Sequence, residues 1–88
     1  MAVSEDADRL LRRIGLRIIK RRQELGLTQQ QLAAKFGMHQ SNLAQIEQGK
    51  QNLTVRTLAK LSTVLGVKVA ELFAEESEIE QEGGKTGR

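Results

Sequence analysis

Apolar residues recur along the chain at intervals of three and four, which is the spacing of one face of an α-helix. Apolar and polar residues do not alternate over any useful length, and the sequence contains no proline. The pattern therefore predicts an all-α fold of five helices. Their expected extents are about Asp8–Glu24, Thr28 to Phe36, about Gln40–Gln48, from just after Thr54 to Leu65, and about Val69–Ala74.

Residues that favour helix ends stand at these boundaries. Asp6 and Asp8 precede the first helix, where negative charge is favourable. Thr28 and Gln31 have the spacing of a capping box, and glycines follow four of the helices. The expected buried faces consist of Leu11, Ile14, Ile18 and Leu25 in the first helix, Leu32, Ala33 and Phe36 in the second, Leu43 and Ile46 in the third, and Leu58, Leu61 and Leu65 in the fourth.

Two opposite charges fall on these apolar faces. Arg22 lies four residues after Ile18, and Glu47 lies four residues after Leu43. Helical spacing places both near the core, so we expect a partly buried ion pair that fixes the angle of the third helix. The alternative is that both side chains extend to water.

The other face of the third helix carries short polar side chains: Gln40, Ser41, Asn42 and Gln45. A glutamine can make two hydrogen bonds to adenine in the major groove of DNA. A polar helix face is also a common solvated surface. The second and third predicted helices are joined by a tight turn, and that arrangement favours the DNA-binding interpretation.

Charge and composition narrow the function further. The net charge is only +3, but the span from Arg9 to Lys60 holds eleven basic residues and two acidic ones, a net charge of +9. Such a body suits a polyanion. The chain has no cysteine, one histidine and two aspartates, both near the N-terminus, so metal clusters and catalytic triads lack their parts. We expect neither an enzyme nor a metal or other cofactor.

The chain is expected to hold one domain. Residues 1–7 are predicted to be a disordered arm, residues 8–74 the helical domain, and residues 75–88 an acidic, glycine-containing flexible tail. No apolar run approaches the roughly 20 residues that span a bilayer. The N-terminus also lacks a signal-peptide pattern, so we expect a cytoplasmic protein with no membrane partner.

Two segments, RRQELGLTQQQLAAKFGMHQSNLAQIEQGK and TLAKLSTVLGVKVAELF, resemble the phage-repressor, Cro-like or xenobiotic-response-element family of helix-turn-helix regulators. The resemblance covers roughly residues 14–73. It implies a lambda-repressor-like fold of five helices with the third helix in the major groove. It also implies homodimers that bind palindromic half-sites about 34 Å apart.

The resemblance also assigns roles to individual residues. Gln40, Ser41 and Gln45 match base-reading positions, while Asn42 either reads bases or is merely exposed. Gln29 matches a phosphate-contacting glutamine, and Lys50 and Asn52 match a loop that meets the DNA backbone. Arg22 and Glu47 match the interhelical ion pair of the family.

Further phosphate contacts are expected from the basic first helix, at Arg17 or Arg21. His39 stands where the family often has a serine or threonine cap, and Leu53 where it usually has proline. Protonated, His39 would contact a phosphate and make binding mildly pH-dependent. Otherwise it is a solvent-facing loop residue.

The short fifth helix and the turn before it are unusually apolar, with Val67, Val69, Leu72 and Phe73. These residues either close the core beneath the fourth helix or form part of a dimer interface, which two domains reading a palindrome require.

The favoured function is a sequence-specific regulator of transcription, either a repressor or an autoregulator, that binds double-stranded DNA. A restriction–modification controller protein fits the size. An antitoxin, with the acidic tail bound to a toxin, is the alternative from another class. RNA polymerase is a further partner to consider.

Overall fold

Five helices follow one another in the part of the chain that the structure describes. The structure, a computed structural model, describes the backbone of residues 3–74 and the side chains of residues 6–74. The helices are α1 (Val3–Glu24), α2 (Gln29–Phe36), α3 (Gln40–Glu47), α4 (Val55–Leu65) and α5 (Val69–Phe73). Their number and order confirm the predicted all-α fold. The predicted acidic tail, residues 75–88, lies outside the described residues.

The ends of α2 follow from local side-chain chemistry. Thr28 is the N-cap of α2, and its hydroxyl oxygen accepts from the Gln31 N–H at 3.0 Å, while the Gln31 side chain accepts from the Thr28 N–H at 2.8 Å. This is the predicted capping box. Gly37 ends the helix with φ +90°, a left-handed conformation that favours glycine.

The first helix begins earlier than predicted. It starts at Val3 rather than about Asp8, so most of the segment predicted as a disordered arm is helical. No glycine or proline precedes Leu10 in the sequence, and the acidic residues near the start favour the helix dipole. Helix formation therefore continues upstream of the residues that mark the predicted start.

One apolar core joins all five helices. Its buried members are Ile14, Ile18, Leu32, Ala33, Leu43, Ile46, Leu58, Leu61, Leu65 and Leu72. The expectation for Leu25 is wrong, because this residue follows the end of α1 and is 40% exposed. Leu27, two residues later, packs against the core in its place.

Leu72 is 1% exposed and belongs to this core. Its proposed place in a dimer interface is therefore wrong, because a side chain without accessible surface cannot contact a second subunit. Val67 and Phe73 are partly buried and also pack against the core. Val69 is also partly buried, so Val67, Val69 and Phe73 all keep some accessible surface.

Two glycines allow α1 to approach the end of α3 closely. A Cβ at Gly15 would lie 2.8 Å from the Ile46 carbonyl oxygen and would overlap the backbone of Glu47. A Cβ at Gly49 would lie 2.7 Å from the Cα of Arg12. Only glycine fits at such separations, so these contacts fix the position of the C-terminal end of α3 against α1.

Candidate nucleic-acid interface

Helices α2 and α3 form the helix-turn-helix. They are separated by Gly37, Met38 and His39, and the N–H groups of Gly37 and Met38 both donate to the Ala33 carbonyl, at 2.8 and 3.0 Å. His39 is the N-cap of α3 in an extended conformation, and its side chain makes no capping hydrogen bond. The first turn of α3 therefore keeps free backbone N–H groups beside an exposed imidazole.

The predicted ion pair between α1 and α3 is present. Arg22 Nε donates to Glu47 Oε2 at 2.7 Å, and Arg22 Nη2 donates to Glu47 Oε1 at 3.2 Å. The two side chains are only 13% and 3% exposed. A bidentate pair fixes the relative orientation of the two side chains and also adds electrostatic attraction. Arg22 Nη1 also donates to the Leu27 carbonyl at 3.0 Å, which fixes the α1–α2 turn just before the N-cap of α2.

Two glutamines extend the pair towards the surface. Gln29 Nε2 donates to Glu47 Oε1 at 2.9 Å, and Gln40 Nε2 donates to Gln29 Oε1 at 3.2 Å. We call Arg22, Glu47, Gln29 and Gln40 the interhelical network. It joins α1, α2 and α3, and it orients the amide at the beginning of α3.

The predicted reading surface lies on the solvent side of α3. Leu43, Ile46 and Glu47 are buried. We call the exposed residues the α3 polar face: Gln40, Ser41, Asn42 and Gln45. Because a helix turns once in about 3.6 residues, the buried residues hold α3 from behind and leave this face free. The loop after α3 adds Lys50 and Asn52, both exposed.

Arg17 and Arg21, the phosphate contacts predicted on α1, are bonded or partly buried within the domain itself. Arg21 Nε donates to the Leu65 carbonyl at 2.9 Å, and its Nη1 pairs with Glu24 at 3.3 Å. Arg17 lies one turn earlier, and its Nε and Nη1 are buried. Five residues separate Arg17 from Arg22, so their side chains point roughly 140° apart around α1. Arg17 therefore lies on a different side of α1 from Arg22, and the phosphate contacts of Arg17 and Arg21 stay predictions.

Sequence reasoning missed the contribution of Gly15. A glycine within a helix is normally unfavourable, and that cost was the available signal for a close helix contact.

Within the described residues, no group of three or more histidine or acidic side chains could hold a metal ion. No described helix is long and apolar enough to cross a membrane. The α3 polar face and the loop after it can form hydrogen bonds through amides, a hydroxyl and a basic group.

Comparisons with known proteins agree with this geometry. The HTH_3 helix-turn-helix family model matches residues 18–72. A regulator from Sinorhizobium fredii, named as the uncharacterized HTH-type transcriptional regulator y4dJ, is 41% identical over 59 residues, which are 67% of this chain and 77% of that protein. The immunity repressor of Bacillus phage phi105 is 39% identical over 69 residues, which are 78% of this chain but only 48% of the repressor.

A solved structure gives the same result. The restriction–modification controller protein C.AhdI from Aeromonas hydrophila superposes with a TM-score of 0.67 and 33% identity, over 72% of this chain and 96% of that one. The family match covers the buried faces of α2, α3 and α4, the turn and the α3 polar face together. The chain therefore belongs to the HTH_3 helix-turn-helix family, the Cro-like or XRE class of DNA-binding transcriptional regulators.

Proposed function

We propose that this protein is a sequence-specific repressor or autoregulator that reads palindromic operator half-sites as a homodimer, with α3 in the major groove. The observation that carries the proposal is the α3 polar face, exposed along its length and held from behind by the interhelical network. A rigidly held row of short polar side chains is what direct readout of base edges requires.

Gln40 is held in place and still able to bind a base. One N–H of its amide donates to Gln29, which leaves the second N–H and the carbonyl oxygen available. An adenine offers N7 as an acceptor and N6–H as a donor, and the free half of the amide complements both. Gln45 and Ser41 are exposed further along the same face and would read neighbouring bases.

Phosphate contacts would come from the rim of this face. Lys50 and Asn52 lie in the loop after α3, and His39 lies before it, all exposed. Gln29 stands at the first position of α2, where its free backbone N–H adds a donor. Contacts of this kind position the domain and make its affinity fall with salt, without carrying sequence information themselves.

A homodimer would supply the symmetry of a palindromic site. Val69 retains accessible surface at the start of α5, with Val67 and Phe73 partly exposed beside it. These three residues are our candidates for a two-fold contact. Assembly on DNA would add the energies of two half-sites and link regulation to protein concentration. The proposed location is the cytoplasm, where the DNA is.

Selection of duplexes from a random pool tests the proposal. We expect recovered sequences to contain two inverted half-sites whose centres lie about one helical turn apart. Half-site, spacing and symmetry would come from the same experiment. Recovery of no enriched sequence at moderate ionic strength would contradict the proposed reading function.

The likeness to C.AhdI supports one second candidate, a restriction–modification controller. This chain covers nearly all of that protein, at 33% identity. A methyltransferase or endonuclease gene beside this one, together with tight binding to the DNA upstream of its own gene, would favour a controller. A neighbouring gene for a small basic toxin would favour the antitoxin alternative.

A further inference from the structure

The four side chains of the interhelical network are bonded in one fixed order of donors and acceptors. Arg22 can only donate, and it makes two bonds to the Glu47 carboxylate, at 2.7 and 3.2 Å. A carboxylate can only accept, so the contact from Gln29 at 2.9 Å must use the amide nitrogen of Gln29. The side chains of Arg22 and Glu47 are 13% and 3% exposed, so this end of the network is shielded from water.

The same order continues to the surface of the domain. Because the Gln29 nitrogen is directed at Glu47, its carbonyl oxygen is directed at Gln40, which donates an N–H to it at 3.2 Å. Gln40 keeps its second N–H and its carbonyl oxygen for a ligand. A reversed Gln40 amide would bring two carbonyl oxygens together and lose the bond. The buried carboxylate therefore determines which atoms Gln40 presents, although it lies two side chains away.

The atoms that Gln40 presents restrict the bases that it can read. One donor and one acceptor complement adenine, which offers N7 and an N6–H group in the major groove. Guanine offers two acceptors there, O6 and N7, and an amide needs both of its N–H groups to satisfy them. One N–H group of Gln40 is already bonded to Gln29. The network therefore selects against guanine at the base that Gln40 contacts.

We propose that Glu47 determines specificity at one base pair: its carboxylate, acting through Gln29, makes Gln40 prefer adenine to guanine. The inference rests on the proposed function, because it concerns the base that Gln40 would contact. Glu47 is a positioning residue, since its buried side chain has no surface with which to contact DNA. Its effect should therefore be confined to the base pair read by Gln40.

Two substitutions distinguish this role from a purely structural one. Gln29→Met removes the intervening amide and frees both N–H groups of Gln40, so guanine should bind as well as adenine. Glu47→Gln should reverse the order of the network. The amide introduced there would keep its oxygen on Arg22 Nε, the shortest bond of the pair, and direct its nitrogen at Gln29. Gln29 would then donate to the Gln40 carbonyl, and guanine would become the preferred base.

The measurement uses the full chain and two duplexes that differ by one base pair. That pair is A·T or G·C, at the position where Gln40→Ala loses discrimination. We expect the unsubstituted protein to favour A·T by about 5- to 150-fold, the range of a bidentate contact. Gln29→Met should bring the ratio of the two affinities close to one, and Glu47→Gln should invert it.

Each variant has a matched control. Gln30→Met removes an exposed glutamine of α2 that is outside the network, and it is the control for Gln29→Met. Leu61→Val lowers stability from the buried core without touching the network, and it is the control for Glu47→Gln. Both controls should keep the ratio of the unsubstituted protein.

The side-chain amide signals of Gln40 in a proton–nitrogen NMR spectrum test the network without DNA. They should shift in Gln29→Met and Glu47→Gln and stay in place in Gln30→Met. Unmoved signals, or an A·T preference that survives both network variants, would overturn the inference and leave the proposed function standing. If the unsubstituted protein enriches no duplex from a random pool, the proposed function is wrong and this inference with it.

Discussion

Removal of the Glu47 carboxylate should be the most destabilising change in the interhelical network. The carboxylate accepts from Arg22 Nε, Arg22 Nη2 and Gln29 Nε2, and the Glu47 side chain is only 3% exposed. Glu47→Ala leaves these three donors without their acceptor. Arg22 keeps only its bond to the Leu27 carbonyl. The remaining charge would be largely buried and only partly paired.

The expected loss is about 3–5 kcal/mol of unfolding free energy, the usual cost of removing one partner of a buried pair. A domain of this size has roughly 4–11 kcal/mol of total stability, so the variant should be at the edge of folding. Glu47→Gln keeps the shape and one acceptor oxygen. It should cost about 1.5–3 kcal/mol, the contribution of hydrogen bonds to a charged group.

Urea unfolding followed by circular dichroism measures these differences, with Glu24→Ala as the matched control. Glu24 also pairs with an arginine of α1, at 3.3 Å, but the Glu24 and Arg21 side chains are 50% and 32% exposed. An exposed pair contributes only about 0–1 kcal/mol. An equal, small loss of unfolding free energy in Glu47→Ala and Glu24→Ala would contradict a strong contribution from the buried Glu47 carboxylate.

Three further predictions concern packing, capping and electrostatics. Gly15→Ala should destabilise the fold by about 1–3 kcal/mol, because the added Cβ would overlap the backbone at the end of α3. Helix propensity alone predicts a gain in thermal stability, and such a gain would contradict this expectation. Thr28→Ala should cost about 1 kcal/mol through loss of the capping box. Thr63→Ala, at an exposed position inside α4, should cost almost nothing in the same melts, and equal losses would be inconsistent with the cap. Lys50→Gln should lower the slope of log affinity for a selected duplex against log salt by about 1, measured by fluorescence anisotropy. Lys60→Gln, whose ammonium group stands 4.8 Å from the Phe36 ring centre, should leave that slope unchanged.

The fold could be predicted from the sequence because its determinants are local. Helical spacing of apolar residues gave the five helices, and a threonine followed by glutamine at the correct offset marked the start of α2. The interhelical pair could also be predicted, since a charge on an apolar face needs a partner. These signals all lie within one helix or one turn.

Features that depend on the relation between helices were less accessible. The role of Gly15 requires knowing that α1 crosses the end of α3, which no local pattern states. Leu72 was ambiguous because apolar residues close cores and form interfaces equally well. Charge alone predicts phosphate contacts at Arg17 and Arg21, but it gives no sign that Arg21 bonds to the Leu65 carbonyl at the end of α4.

The central claim is that the α3 polar face reads base edges, and Gln45 tests it most directly. Its side chain is exposed, and it stands outside the interhelical network. The measurement is the ratio of affinities for a selected duplex and a random one, compared between Gln45→Ala and a control, Gln23→Ala, which removes an exposed glutamine from α1. We expect the ratio to fall by an amount worth about 1–3 kcal/mol in Gln45→Ala and to stay constant in the control. An unchanged ratio in Gln45→Ala would contradict the account.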